Sequence, residues 1–149
     1  MRQTVETVLG HKTGTDELIT VDAGAMVTEA VQIMAERHVG AVLIQNEDGL
    51  VDGIFTERDL LSRVVHLGRD PAATPISMVM TREVRYVTPG TTVEAALALM
   101  HVNRHRHLLV IDGPRVHGLL SLRDLAYHLI QHGEGRLEAA IRASEPPAA

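Results

Sequence analysis

The sequence predicts an α+β fold: two βαββα repeats packed through their sheets as one pseudo-twofold module. Three observations lead there. The first is an internal repeat. With "ITVDAGAMVTEAVQIMAERHVGAVLIQNEDGLVDGIFTERDLL" from Ile19 set over "RYVTPGTTVEAALALMHVNRHRHLLVIDGPRVHGLLSLRDLA" from Arg85, Val21 falls on Val87, Gly24 on Gly90, Val27 on Val93, Val31 on Leu97 and Met34 on Met100, at an offset of 66. Past the second strand the offset drops to 65, because "NEDGLVDG" is one residue longer than "DGPRVHG", and Gly53, Arg58 and Asp59 then meet Gly118, Arg123 and Asp124. The indel falls in a turn, where a repeat tolerates it. The second observation is that the apolar period changes along each copy in the same order, strand to helix to paired strands to helix. The third is size: one copy buries too little surface to stand alone, whereas two stacked through their sheets share an interior.

Taken in order, "TVETVL" near the N-terminus reads as a short helix and "HKTGTDE" as a loop. A short extended segment around Val21 or Val87 opens each repeat. A helix follows whose apolar positions, Val27, Val31, Met34 and Val93, Leu97, Met100, recur at i, i+4 and i+7 and so share one face. Next come an apolar strand ("AVLIQ" or "LLVI"), a turn at Asp48-Gly49 or Asp112-Gly113, and a second strand ("VDGIF" or "VHGLL"). A helix then begins at Thr56 or Ser121. The second repeat carries Thr91-x-x-Glu94 ahead of its first helix, a capping-box spacing, where the first has Ala25, so the first repeat's helix is expected to fray more. Pro71 and Pro75 mark "GRDPAATPIS" as a linker. The expected boundaries are residues 4–67 for the first repeat, 68–77 for the linker, 78–132 for the second repeat, and 133–149 for a C-terminal helix and disordered tail.

Composition narrows the function. Of 149 residues 45% are hydrophobic, but aromatics make up 2%, with no Trp and one Phe, so the core is built from Val, Leu, Ile, Ala and Met. The platforms on which single-stranded nucleic acid stacks are missing. A formal charge of -5 with scattered Arg argues against a phosphate-tracking face, so no nucleic-acid partner is expected. With no cysteine there is neither a disulfide framework nor a thiolate metal site, which permits an intracellular location. No apolar run reaches the roughly 18 to 20 residues of a membrane span, and "MRQTVETVLG" lacks a signal peptide's apolar segment. The expectation is a cytoplasmic chain with no membrane partner.

The phrase "GIFTERDL" (Gly53 to Leu60) returns as "GLLSLRDL" (Gly118 to Leu125). One reading is structural: Ser or Thr caps the helix and Asp, three residues on, reaches back to the cap amide. The other is functional. A carboxylate offers two acceptor oxygens to the two vicinal hydroxyls of a ribose, a helix start favours phosphate, and the Gly lets backbone approach a flat purine. The two readings use the same atoms and are compatible.

Both phrases, each at its place in a βαββα repeat, together with "VTEAVQIMAERHVGAVLI" and "VEAALALMHVNRHRHLLVID", resemble the tandem CBS-domain pair, or Bateman module, over about residues 4–131. The resemblance implies a regulatory, non-catalytic module that binds adenosine-containing ligands (AMP, ADP, ATP, S-adenosylmethionine or NAD) in clefts between the repeats, with AMP or ATP foremost. It also implies a homodimer, and an effector protein that is reached in trans. Carried over by position, the first cleft comprises Thr56, Arg58 and Asp59 facing Val84, Arg85, Arg106 and His107; the second comprises Ser121, Arg123 and Asp124 facing Leu18, Ile19, Gly40 and Ala41. A guanidinium and an imidazole would favour a phosphorylated nucleotide in the first cleft. The second, lined by small residues, would bind more weakly or take an adenosyl group. The chain departs from the family pattern at Asp52 and His117, where an apolar residue usually precedes the Gly, and Gln45 stands where the other copy has Ile111.

Nine histidines invite a metal reading, since His101/His105 and His128/His132 are spaced i, i+4, with His107 nearby. No third or fourth ligand is specified, and histidine near a helix C-terminus is explained by the macrodipole, so no metal is expected. Two other functions stay open. An enzyme would need a nucleophile with its base, converging carboxylates or a metal, and none is visible. A ligand-free dimeric interaction scaffold would keep the fold with empty clefts.

Overall fold

The computed structural model describes residues 3–10, 18–132 and 142–143. The predicted C-terminal helix and tail and the "HKTGTDE" loop lie largely outside them. The described chain runs α1 (Val5–Gly10), β1 (Thr20–Asp22), α2 (Val27–Arg37), β2 (Ala41–Gln45), β3 (Val51–Thr56), α3 (Glu57–Asp59), β4 (Tyr86–Val87), α4 (Val93–Asn103), β5 (His107–Asp112), β6 (Arg115–Ser121) and α5 (Leu122–His132). Helix α3 continues without a break into a wider π-helical stretch, Leu60–Val65, and a 3₁₀ turn forms at Ile76–Met78. No helix among the described residues is long and apolar enough to cross a membrane.

The chain divides into two compact units, Glu17–Val84 on one hand and the N-terminal residues with Arg85 onward on the other. Each contains one βαββα repeat around a three-stranded sheet, β1-β2-β3 or β4-β5-β6. The first two strands are parallel and joined by an 11-residue helix, as a parallel crossover requires. The last two form an antiparallel hairpin, and both hairpins carry a register shift at the same place, Ile44/Gln45 and Val110/Ile111. Past the shift Gln45 stays paired, with Asp22 on one side and Val51 on the other, and its side chain bonds the turn, donating from Nε2 to Gly49 O at 2.8 Å. Asp52 is explained by the same hairpin, since its Oδ1 accepts from Asn46 Nδ2 at 2.9 Å.

Helix α2 begins at Met26 with no side-chain cap, whereas Thr92 caps α4 by accepting from Ala95 N at 3.1 Å. The asymmetry expected from sequence holds, but the capping residue is Thr92, not Thr91. Thr91 Oγ1 instead accepts from Thr88 N at 3.2 Å and closes the preceding turn. A cap must sit one residue before the first helical φ/ψ pair, and two adjacent threonines leave sequence spacing unable to choose.

Each unit completes its core with a segment lying N-terminal to the other unit's repeat. By position in the sequence residues 4–10 stand with the first repeat and 78–84 with the second, but Val5 and Val8 pack in the core of the second repeat and Val79 and Met80 in that of the first. Val5 and Val8 are buried with Val87, Val93, Leu97, Met100, Leu108, Leu120 and Leu125. Ile76, Val79 and Met80 are buried with Val21, Val27, Met34, Val42, Ile44, Phe55 and Val64. Two equivalent bridges hold the segments, Thr4 to Thr92 and Pro75 to Met26. The physical reason is that a three-stranded sheet with two helices leaves one flank of its apolar face open, and an amphipathic stretch of backbone closes it. Aligned on those bridges, "TVETVLG" from Thr4 lies over "PISMVMT" from Pro75: Val5 matches Ile76, Val8 matches Val79, Leu9 matches Met80 and Gly10 matches Thr81.

Candidate functional site

In the unit of residues 17–84, strand β3 delivers Thr56 to the edge of the sheet in extended conformation (φ -117°, ψ 166°), and the chain turns directly into α3. Thr56 Oγ1 accepts from Asp59 N at 3.2 Å, while Asp59 Oδ2 accepts from Thr56 N at 3.0 Å and from Thr56 Oγ1 at 3.2 Å. The structural half of the sequence reading is thus met in full: this is a reciprocal capping box. The other unit repeats it, with Ser121 N donating to Asp124 Oδ2 at 2.9 Å and Asp124 N donating to Ser121 Oγ at 3.0 Å.

Asp59 is 6% exposed, and a buried carboxylate needs partners on both oxygens. Its Oδ1 accepts from Thr81 Oγ1 at 3.0 Å and faces Arg63 Nε at 3.6 Å. Arg63 in turn donates from Nη1 to Met80 O at 3.0 Å, so one guanidinium ties the carboxylate to the segment before β4. Sequence reasoning missed both Thr81 and Arg63. A signal existed for Arg63, which stands i, i+4 from Asp59, the spacing of a helical ion pair. The 65-residue offset sets Arg63 over His128, whose Nε2 bonds Gln3 Oε1 at 3.0 Å. At one helical position, each unit therefore holds its borrowed segment with a nitrogen-bearing side chain.

The glycine ahead of each motif also serves that segment. A Cβ on Gly53 would lie 2.6 Å from Thr81 O and 3.0 Å from Met80 Sδ, and one on Gly118 would lie 3.0 Å from Leu9 Cδ1. In this structure the space beside the glycines, read from sequence as an approach for a purine, is filled by the chain's own residues.

Other predicted residues gather at the same sheet ends. Ala41 is the register partner of Thr56, Gly40 O accepts from Glu57 N at 3.0 Å, and Ile19 O accepts from Leu43 N at 3.0 Å; Leu18 precedes it, half-buried. In the second unit His107 is the register partner of Ser121, Arg106 O accepts from Leu122 N at 2.8 Å, and Arg85 O accepts from Leu109 N at 2.9 Å. Val84 N bonds Arg82 O at 3.1 Å, and Arg58 and Arg123 point to solvent. The groupings inferred from resemblance span the two units. Inside each unit the structure brings Thr56 and Asp59 together with Ile19, Gly40 and Ala41, and Ser121 and Asp124 together with Arg85, Arg106 and His107. The two ends differ in charge. The Glu57 carboxylate lies beside Gly40, 3.3 Å from where a Cβ would stand, while the corresponding place in the other unit is occupied by Arg106.

The two i, i+4 histidine pairs differ in geometry. Arg104 takes a left-handed conformation at the end of α4, so His105 leaves the helix that carries His101. The rings of His128 and His132 lie 4.7 Å apart, and among the described residues no group of three or more His, Cys, Asp or Glu has metal-binding spacing.

Comparison with known proteins places the chain. The CBS-domain family model matches residues 14–66 and 76–131. The CBS domain-containing protein YhcV of Bacillus subtilis is 34% identical over 114 residues, covering 76% of this chain and 80% of its own. A CBS-domain structure from Burkholderia ambifaria MC40-6 is 36% identical with a TM-score of 0.83, covering 89% of this chain and 97% of that one. The CBS domain protein PAE2072 from Pyrobaculum aerophilum, complexed with AMP, shares the fold at a TM-score of 0.73 and 20% identity, covering 95% of this chain and 98% of that one. The chain spans 22% of the length of the Arabidopsis thaliana CBS domain-containing proteins CBSCBSPB2 and CBSCBSPB3, to which it is 35% and 34% identical over 120 residues.

Proposed function

The chain belongs to the CBS-domain family, with two CBS domains in tandem, and from that premise we propose that it is a non-catalytic regulatory module that binds adenosine nucleotides, AMP or ATP foremost, at its Ser/Thr-x-x-Asp turns and signals to an effector protein in trans. One observation carries the reading: in both units a carboxylate stands at a sheet end beside a Ser or Thr hydroxyl, Asp59 with Thr56 and Asp124 with Ser121. That pairing of acceptor and donor matches a ribose diol. The AMP complex of PAE2072, a protein of the same fold, supports an adenosine ligand.

The charge difference between the two ends orders them. Arg85, Arg106 and His107 share the end that holds Ser121 and Asp124, so a phosphorylated nucleotide is assigned there, while the end with Thr56, Asp59 and Glu57 suits an adenosyl group with less anionic charge. The resemblance gives the other order, with Arg85, Arg106 and His107 of the second repeat facing Thr56 and Asp59 of the first, and titration of the single variants at Asp59 and Asp124 decides between the two. A homodimer is proposed on exposed apolar side chains that repeat by position. Val65 and Ile130, at an offset of 65, are 61% and 64% exposed, and Leu61, Val102 and Tyr127 accompany them.

A thermal-shift panel of AMP, ADP, ATP, NAD and S-adenosylmethionine tests the reading. A ligand at 100 times its dissociation constant stabilises by about 2.7 kcal/mol. No shift with any of the five would favour the second reading, a dimeric scaffold that binds no ligand. One observation speaks for that alternative: the oxygens of Asp59 are engaged by the chain's own donors.

A further inference from the structure

We propose that Thr81 gates the Asp59 site: a ribose diol binds there in exchange for the Thr81 hydroxyl, and occupancy is thereby coupled to the segment of residues 76–81. The inference rests on reading Asp59 as a ribose acceptor, and it goes beyond that reading by naming the residue that sets its affinity.

A carboxylate offers about four lone-pair directions. Around Asp59 four donors converge: Thr56 N at 3.0 Å and Thr56 Oγ1 at 3.2 Å on Oδ2, with Thr81 Oγ1 at 3.0 Å and Arg63 Nε at 3.6 Å on Oδ1. A vicinal diol donates two hydrogen bonds, so two of these donors must leave. The Oδ2 pair belongs to the capping box, and releasing it would strip a partner from the amide at the start of the helix. The Oδ1 pair comes from outside the cap. Thr81 Oγ1 leaves by a side-chain rotation, and the long Arg63 contact is the weakest of the four. Oδ1 is therefore the oxygen that the diol takes.

Both Oδ1 donors are anchored in one segment. Thr81 N donates to Ile54 O at 2.8 Å and Thr81 O accepts from Ile54 N at 2.9 Å, while Arg63 holds Met80 O. Exchange at Oδ1 removes a side-chain tether from residues 79–81, which lie near the end of their unit at Val84. The Thr81 hydroxyl is particular to this site. By the bridge alignment the residue matching Thr81 is Gly10, which has no hydroxyl to offer Asp124.

The test is AMP binding by titration calorimetry in an Asp124→Ala background, so that heat reports the Asp59 site, with folding checked by circular dichroism. Thr81→Val, and Thr81→Ala should Val not fold, are expected to bind about tenfold more tightly than their parent, the worth of one charge-assisted hydrogen bond of modest strength. Thr81→Ser, which keeps the hydroxyl, is expected to match the parent. In the parent, AMP is expected to speed amide hydrogen exchange at Thr81. Measurable binding that Thr81→Val or Thr81→Ala leaves unchanged or weakens overturns the gate but leaves Asp59 a ribose acceptor, provided that Asp59→Ala abolishes the heat. No binding of AMP, nor of adenosine in a parallel titration, by the parent or by any Thr81 variant overturns both readings.

Discussion

Replacing Gly53 with Ala tests whether the borrowed segment is part of the unit it packs on. In a strand with ordinary φ, Ala normally stabilises relative to Gly by roughly 0.5–1 kcal/mol. Here the new Cβ would stand 2.6 Å from Thr81 O and 3.0 Å from Met80 Sδ, and the first of these is backbone. To make room, residues 80–81 must withdraw, giving up the paired hydrogen bonds between Thr81 and Ile54 at 2.8 and 2.9 Å. Two such bonds are worth about 0.5–1.5 kcal/mol each, and overpacking adds about 1–3 kcal/mol. A net loss of about 2–4 kcal/mol follows, or roughly 5–15 °C in Tm for a chain of this size. Gly118→Ala is the internal control. Its Cβ meets the terminal methyl groups of Leu9, a side chain that can turn away, so its cost should stay within about 1 kcal/mol. Urea unfolding followed by far-ultraviolet circular dichroism reads both. Stabilisation by Gly53→Ala, or equal costs at the two glycines, would refute the packing of residues 80–81 against β3.

Three further outcomes are expected. Thr92→Ala should lower stability by about 1 kcal/mol in thermal unfolding, because it removes the Oγ1 acceptor of Ala95 N, whereas Thr91→Ala, which opens a surface turn, should cost less. Arg106→Ala should weaken AMP binding several-fold more than adenosine binding in parallel titrations, since a phosphate contact is lost and the nucleoside contacts are kept. Val65→Lys together with Ile130→Lys should shift the sedimentation mass from dimer to monomer without changing the circular-dichroism spectrum; a dimer that persists would place the interface elsewhere.

The repeat itself was legible because its strongest positions, Val21 on Val87, Met34 on Met100 and Asp59 on Asp124, obey one offset with one indel. Each falls where helix or strand period demands an apolar or capping residue. The Ser/Thr-x-x-Asp cap was legible for a similar reason: both partners lie within one turn. What escaped was long-range. Periodicity says that Val5, Val8, Ile76 and Val79 are apolar on one side, but not which sheet they close, and the exchange of segments appears only once the bridges Thr4–Thr92 and Pro75–Met26 are seen. Thr81 lies 22 residues from Asp59, so no local spacing could pair them. Sequence names Arg85, Arg106 and His107 as candidates, while the strand register that sets His107 beside Ser121 is not visible in spacing.

The most direct test of the central claim is titration of AMP into the unmodified chain and into Asp59→Ala, Asp124→Ala and the double variant, each verified as folded. Binding to the unmodified chain is expected, with a larger loss from Asp124→Ala than from Asp59→Ala and no binding in the double variant. Binding that survives in the double variant at the original affinity would contradict the claim.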